Sequence, residues 1–211
     1  SPNVWKAPSN TNSTLVSSER GWMLFVRGDR KSYGVIDNQF HTPTVTTLRP
    51  RGQINTGDIR VPATGTLTGL QVVGNPYACA LDFHAAYNTT KAANGGTLPY
   101  ADKYWIWDPY MGGSNGVGSF VSLSSWSGGA YTRSAPLTGT GTSTIDNQYI
   151  PSGAAVIVDF GSTGGYITFH EADKVATNTT VAYRPVSNIR TTLNAIEADG
   201  STFPVDGVLN L

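Results

Sequence analysis

The fold class is decided by two runs within residues 67–110, Leu67-Thr68-Gly69-Leu70-Gln71-Val72-Val73 and Lys103-Tyr104-Trp105-Ile106-Trp107-Asp108-Pro109-Tyr110. Both are rich in Val, Ile, Trp, Tyr and Leu, and such side chains suit a pleated, half-buried surface. Each run ends at a turn-forming cluster that contains proline, the first at Gly74-Asn75-Pro76-Tyr77. The two runs therefore predict neighbouring strands that close a core.

The rest of the chain predicts further strands around this centre. Gly21–Arg27 is apolar on both faces, which is typical of a strand buried between layers. The clearest hairpin joins Gly153–Phe160 to Tyr166–His170 through a glycine-rich turn. Other predicted strands are Thr44–Arg49, Gly52–Asn55, Ser119–Leu123, Ala130–Arg133, a short strand around Tyr149, Thr179–Arg184 and Ile189–Ile196.

A short helix is predicted between the two central runs. Asp82–Tyr87 is compatible with one or two helical turns, with Asp82 at the N-terminus. Residues 88–99 include Asn94-Gly95-Gly96 and predict a surface loop.

Length and composition indicate one all-β domain. The chain has 211 residues with 24 Gly and 12 Pro, and 39% of them are hydrophobic, which is enough to bury a substantial core between many turns. We expect an antiparallel β-sandwich, jelly-roll-like, with long Gly-rich loops and at most one short helix. Residues 1–20 are expected to form a loose N-terminal segment or edge strand, and residues 21–211 a single domain.

The charge balance argues against nucleic acid as a partner. Lys and Arg total 14, Asp and Glu also total 14, and the sequence has no basic cluster that could neutralise phosphates. No apolar run approaches the roughly 20 residues of a membrane helix, which argues against membrane insertion. The single cysteine, Cys79, lies among small apolar neighbours and predicts a buried, inert thiol.

No catalytic set stands out. Gly112-Gly113-Ser114-Asn115-Gly116 has the letters of a nucleophile elbow, but Pro109 precedes it and no helical pattern follows. A glycosidase needs two facing carboxylates, and no such pair can be selected with Glu19, Glu171 and Glu197 as the only glutamates. We expect a protein that is not an enzyme, with a secreted hydrolase as the remote alternative.

The sequence contains no established metal motif. The histidines are His41, His84 and His170. None has the spacing of a zinc site, and we interpret them as exposed or hydrogen-bonded side chains. No cofactor is expected, although structural calcium on loop carbonyls and carboxylates is compatible with the composition. The carboxylates considered for calcium are Asp29, Asp58 and Asp199.

The aromatic run suggests a binding surface. A strand places Tyr104 and Ile106 on one face and Trp105 and Trp107 on the other. One face belongs to the core, and the other can present rings to the apolar C–H face of a sugar. The alternative is burial of both faces, one against a facing sheet and one under loops. The candidate ligand-binding residues are Trp105, Trp107, Tyr110 and Trp126.

The C-terminal run suggests a different role. Val205-Asp206-Gly207-Val208-Leu209-Asn210-Leu211 is apolar and predicts a strand that either continues beyond a truncated domain or pairs with another partner. A sharper hypothesis is that one subunit lends this strand to the next by β-augmentation. The candidate assembly residues are Val205, Val208, Leu209 and Leu211.

Six motifs follow one another in an order shared with a known group of surface proteins. They are Gly21-Trp22-Met23-Leu24-Phe25-Val26-Arg27-Gly28-Asp29-Arg30, Leu70-Gln71-Val72-Val73-Gly74-Asn75-Pro76-Tyr77, Tyr104-Trp105-Ile106-Trp107-Asp108-Pro109, Ile150-Pro151-Ser152-Gly153, Ile167-Thr168-Phe169-His170-Glu171-Ala172-Asp173-Lys174-Val175 and Asp206-Gly207-Val208-Leu209. The set resembles the β-rich region that precedes the C-terminal sorting domain in Bacteroidetes cell-surface proteins exported by the type IX secretion system. The resemblance implies an extracellular or cell-surface module without a catalytic set that can be transferred to numbered residues.

These observations predict a non-catalytic extracellular surface module with a structural, adhesive or fibre-assembly role. Its expected partners are neighbouring copies of itself or cell-surface glycans. The alternative is a carbohydrate-binding module that uses exposed Trp and Tyr side chains.

Overall fold

The computed structural model describes residues 7–10, 20–24, 52–108, 111, 118–133, 145 and 148–176, together with the backbone of 189–196 and 202–210. These residues form many antiparallel strands, one α-helix and one 3-10 turn. All the strand pairings in the described part of the chain are antiparallel, as the sequence predicts for an all-β protein.

The elements are numbered in chain order. The strands are β1 (Ile59–Val61), β2 (Leu70–Gly74), β3 (Ala80–Asp82), β4 (Lys103–Asp108), β5 (Ser119–Ser127), β6 (Ala130–Arg133), β7 (Tyr149–Ile150), β8 (Ala155–Asp159), β9 (Ile167–Phe169), β10 (Lys174–Val175), β11 (Ile189–Ile196) and β12 (Thr202–Asn210). The helix α1 spans Phe83–Ala93, and the 3-10 turn spans Glu171–Asp173.

The chain divides into two compact units, whereas the sequence predicts a single domain. One unit consists of Ser1–Met23 and Gln53–Tyr183, and the other of Leu24–Gly52 and Arg184–Leu211. In the second unit, β11 and β12 pair with each other, and their register shifts between Leu193 and Asn194. The chain therefore passes from the first unit into the second, returns to the first, and enters the second again at Arg184.

A five-stranded sheet dominates the first unit, in the order β2-β8-β4-β5-β6. Two smaller sheets accompany it, β1-β9 and β10-β3-β7. The two central runs of the sequence become β2 and β4 and lie in the same sheet, but the prediction that they are neighbours is wrong. Strand β8 lies between them, since Val72 of β2 and Trp105 of β4 both pair with Ile157.

The predicted hairpin of residues 153–170 is also wrong. Its first arm, β8, pairs with β2 and β4, and its second arm, β9, pairs with β1 in another sheet. The glycine-rich turn is held by two hydrogen bonds between the backbones of Leu67 and Gly165, of 2.7 and 2.8 Å. Each arm buries one face in the core. This burial in two different sheets decides the pairing, although the short turn between the arms would allow them to pair with each other.

The helix α1 packs against β9 and the 3-10 turn. Asp82 is its N-cap, as predicted, and accepts a hydrogen bond from the backbone N–H of Ala85 at 2.9 Å. The helix is longer than predicted, because Thr90 is buried and bonds to the backbone of Thr168 in β9. At 11 residues, the α-helix of the described segments is too short to span a bilayer.

The segment Gly21–Leu24 is not the buried strand that the sequence predicts. Trp22, Met23 and Leu24 are 42%, 58% and 67% exposed, and only the adjacent Arg20 forms a bridge, to Val73. Phe25–Arg27, the rest of the predicted strand, lies outside the described residues. A run that is apolar on both faces was therefore insufficient evidence for a buried strand.

Candidate functional site

Strand β4 shows the predicted alternation. Tyr104 and Ile106 are buried in the core, whereas Trp105 and Trp107 are half-buried on the opposite face of the sheet. Burial of Tyr104 is nearly complete and raises the pKa of its hydroxyl well above the usual range. The core face and the candidate binding face are therefore distinct.

A cleft of about 230 Å³ lies beside Trp105. Its lining is formed by Pro99, Tyr100, Ala101, Lys103, Trp105, Asp159 and Gly161. Pockets for drug-sized ligands enclose roughly 300–1,000 Å³. The smaller cleft suits a compact ligand unit that rests on one aromatic ring.

Lys103 and Trp105 form a cation–π contact inside this cleft. They are two positions apart on β4 and therefore share a face. The ammonium nitrogen of Lys103 lies 4.5 Å from the centroid of the Trp105 ring. The electron-rich ring is thus able to hold a cation in this setting.

Asp159 reaches the cleft from β8. One of its carboxylate oxygens accepts a hydrogen bond from the backbone N–H of Gly161 at 3.0 Å. Gly161 has φ +67°, and a Cβ at this position would lie 3.3 Å from the Pro99 carbonyl oxygen. A glycine therefore allows the turn to hold the Asp159 carboxylate at the edge of the cleft.

Trp107 lies on the same strand face but does not line the cleft. Its ring contacts Phe120 edge-on, with 5.0 Å between centroids. Gly118 lies so close to the indole that a Cβ there would be 2.6 Å from its Nε1. Trp107 thus packs against the start of β5, and its role differs from that of Trp105.

Trp126 lies on the other side of the sheet, away from Trp105 and Trp107, with which the sequence groups it as a candidate binding residue. The register of β5 and β6 shifts between Ser124 and Ser127, and Ser125 has φ +56°. This bulge directs the Trp126 ring onto His84 of α1, where the two rings stack 4.2 Å apart. Simple alternation along β5 would have placed Trp126 on the face of Trp105.

His84 belongs to a hydrogen-bonded network that joins α1 to β6. Its Nδ1 lies 2.6 Å from one oxygen of Asp102, and the hydroxyl of Tyr131 donates to the other oxygen. The His84 and Asp102 side chains are only 22% and 17% exposed. Burial raises the pKa of Tyr131 well above its usual range, and the hydrogen bond to Asp102 raises it further.

The geometry favours a structural role for this network. A carboxylate that orients an imidazole through Nδ1 is also found in catalytic dyads. Here, however, the Nε2 of His84 is 2.9 Å from the side-chain nitrogen of Asn88, one helical turn further along α1. The nitrogen that a base would use toward a substrate is already occupied.

A second polar cluster fixes the backbone just before β1. His170 pairs with Asp58 through Nδ1 at 3.0 Å, and Glu171 accepts a hydrogen bond from the Gly57 N–H at 2.6 Å. Glu171 also pairs with Lys174, and this hydrogen bond is the main reason that the pKa of Glu171 is lowered. The cluster connects the 3-10 turn to the chain that enters β1.

Asp173 is the buried acid of this cluster. It accepts a hydrogen bond from the backbone N–H of His170 at 2.7 Å, and burial nevertheless raises its pKa.

The described residues bring together no group of three or more His, Cys, Asp or Glu side chains suited to a metal ion. Asp58, one of the calcium candidates, instead pairs with His170. Asp29 and Asp199 lie outside the described residues.

The other predicted residues are placed as follows. Val208 and Leu209 lie in β12 opposite Thr191 and Arg190, and Val205 lies at the register shift of the same strand. Tyr110, Ser114 and Leu211 lie outside the described residues. Cys79 is partly buried rather than fully buried as the sequence predicts, and burial raises the pKa of its thiol.

Sequence reasoning missed the two charged residues of the cleft. Lys103 could have been found, because its position two residues before Trp105 places both on one strand face. Asp159 had no local signal, since it reaches the cleft only through the insertion of β8 between β2 and β4.

Comparisons with protein-family models, with curated proteins and with solved structures found no match to this chain.

Proposed function

We propose that this protein is a non-catalytic extracellular module that binds carbohydrate in the cleft beside Trp105. The low charge and turn-rich β composition support an extracellular location, as does the resemblance to exported surface proteins. The site supports binding and offers no assigned nucleophile or pair of facing carboxylates among its lining residues.

The observation that carries the proposal is a half-buried indole with polar groups at its edge. Trp105 supplies an apolar ring face on which the C–H groups of a sugar can stack. Lys103, whose ammonium lies over the ring, and Asp159, at the edge of the cleft, supply a hydrogen-bond donor and acceptor. Such a mixture of one aromatic surface and few polar groups is typical of small-ligand sites.

The proposal is tested with Trp105→Ala and the matched variant Trp107→Ala. Both substitutions remove an indole from the same face of β4, but only Trp105 lines the cleft. We expect Trp105→Ala to weaken binding to responsive glycans by about tenfold or more, corresponding to about 1.4 kcal/mol. The measurement is a glycan array followed by titration calorimetry, with thermal unfolding to confirm that both variants are folded.

An unaltered affinity in folded Trp105→Ala would refute the assignment. Equal losses in the two variants would contradict the cleft as the site, because the ligand would then rest on the strand face as a whole.

A second candidate role, assembly through the C-terminal strand, is favoured by the β11–β12 pair. Within the described part of the chain these strands form a two-stranded antiparallel sheet, and the edge of a sheet offers backbone N–H and C=O groups to a strand of another chain. A neighbouring copy could add such a strand by β-augmentation. Light scattering and negative-stain microscopy test this role, and a monodisperse monomer at high concentration would exclude it.

A further inference from the structure

We propose that the ligand of the Trp105 cleft is an amino sugar that carries a protonated amine, and that Lys103 occupies its place in the free protein. This inference rests on the proposed function, because it specifies the ligand of the same site.

A cation already lies over the Trp105 ring in the free protein. The Lys103 ammonium lies over this ring at 4.5 Å, so the ring face is already a cation site. A neutral sugar that stacks on this face must displace the ammonium and lose the cation–π attraction. If the ligand carries an ammonium, this group takes the place of the Lys103 ammonium on the ring, and the cation–π attraction is regained.

Asp159 lies at the end of β8, the strand that pairs with β4 beside Trp105. Trp105 pairs with Ile157 of the antiparallel strand β8, Lys103 lies two residues before Trp105 and Asp159 lies two residues after Ile157, and both charged residues line the cleft. Opposite charges at such positions commonly pair across strands. The ion pairs found within the described residues do not include Lys103 with Asp159, because Lys103 lies on the ring instead.

The Asp159 carboxylate is accessible to a ligand in the cleft. Asp159 is exposed, and the hydrogen bond from Gly161 engages one of its oxygens and orients the group. A carboxylate held in this way can accept a charge-assisted hydrogen bond from a ligand ammonium. An acidic sugar would instead be repelled by Asp159, even though Lys103 could pair with it.

The test compares three oligosaccharides of equal length: a β-1,4-glucosamine oligomer, its N-acetylated form and an oligogalacturonate. Each is titrated into the protein and into Lys103→Met, Asp159→Asn and Trp105→Ala at a mildly acidic pH. The N-acetylated oligomer is the matched control, because it keeps the sugar ring and lacks the charge.

We expect the glucosamine oligomer to bind most tightly. Asp159→Asn should weaken its binding by about tenfold or more, through loss of the charge-assisted hydrogen bond, and should leave the N-acetylated oligomer almost unaffected. Lys103→Met should tighten glucosamine binding by about two- to fivefold, because the competing cation is gone.

Two results would overturn the inference while keeping the proposed function. One is equal affinity for the glucosamine and N-acetylated oligomers, which would indicate a neutral ligand. The other is preference for oligogalacturonate, with loss of binding in Lys103→Met and a gain in Asp159→Asn. Absence of any Trp105-dependent binding to these three and to the glycans of the array would overturn the site itself and the proposed function with it.

Discussion

Substitution of Tyr131 by Phe tests whether the network around Asp102 stabilises the first unit. The change removes one hydroxyl and keeps the ring, which contacts Tyr104 and Trp126 edge-on. The hydroxyl donates to one oxygen of Asp102, while His84 holds the other oxygen. The variant therefore deletes one hydrogen bond with little change in packing.

The magnitude follows from the burial of both partners. Tyr131 is 5% exposed and the Asp102 side chain is 17% exposed, so water does not readily replace the lost donor. A hydrogen bond to a charged group contributes about 1.5–3 kcal/mol. We expect Tyr131→Phe to lower the free energy of unfolding by about 1.5–2 kcal/mol, with the remaining exposure of Asp102 keeping the value near the lower end.

The pH dependence of this contribution has a definite sign. The pKa of Tyr131 is raised in the folded state, so its hydroxyl keeps its proton more strongly than in the unfolded chain. The contribution is fully present below the ordinary tyrosine pKa of about 10 and is lost as the pH rises through the higher folded-state value. At neutral pH the variant therefore shows the whole loss.

The assay is urea denaturation at neutral pH, followed by the fluorescence of Trp126 and its neighbours, with Tyr87→Phe as the matched control. Tyr87 is also buried, and its hydroxyl donates to a neutral acceptor, the Tyr100 carbonyl oxygen, at 3.1 Å. A neutral hydrogen bond contributes about 1 kcal/mol, so the control should lose less. An equal or larger loss in Tyr87→Phe would refute the reasoning that the charge of Asp102 strengthens the Tyr131 bond.

Two further predictions concern one glycine and one buried acid. Gly118→Ala should destabilise the fold by about 1–3 kcal/mol in thermal or urea unfolding, because the residue has φ +117° and its Cβ would meet the Trp107 indole. Gly128→Ala, with φ +62° and open space around it, is the control and should cost less; a similar cost would contradict the role of the indole. Asp173→Asn should flatten the pH dependence of stability at acidic pH. Burial raises the pKa of Asp173, so its contribution is present below the ordinary Asp value and is lost as the pH rises through the folded-state value. The free energy of unfolding of Asp173→Asn, relative to that of the unsubstituted protein, should therefore increase as the pH rises through this range. A relative decrease would contradict this sign.

Local features of the fold were predictable from the sequence. The alternation of Tyr104 and Ile106 with Trp105 and Trp107 follows from the two-residue period of a strand, and the structure has it. The N-cap at Asp82 is likewise a property of one side chain and the backbone three residues later. Strand β11 was predicted with the bounds that the structure shows, Ile189–Ile196.

Pairing between distant segments was not predictable. The sequence favours a hairpin between the strands that became β8 and β9, because the turn between them is short and rich in glycine. In the structure β8 enters the five-stranded sheet and β9 pairs with β1, since each strand buries its apolar side chains there. A turn limits which strands can meet, but burial across the whole core selects the partners.

The candidate site divides in the same way. By itself the sequence determined that Trp105 shares a strand face with Lys103 and Trp107, because that follows from backbone geometry alone. Tertiary structure decided that Asp159 joins the cleft, since β8 lies beside β4, and that Trp126 leaves it, since a bulge at Ser125 turns the ring to the opposite side. Strand order and bulges depend on contacts between residues far apart in the chain, and no local pattern specifies them.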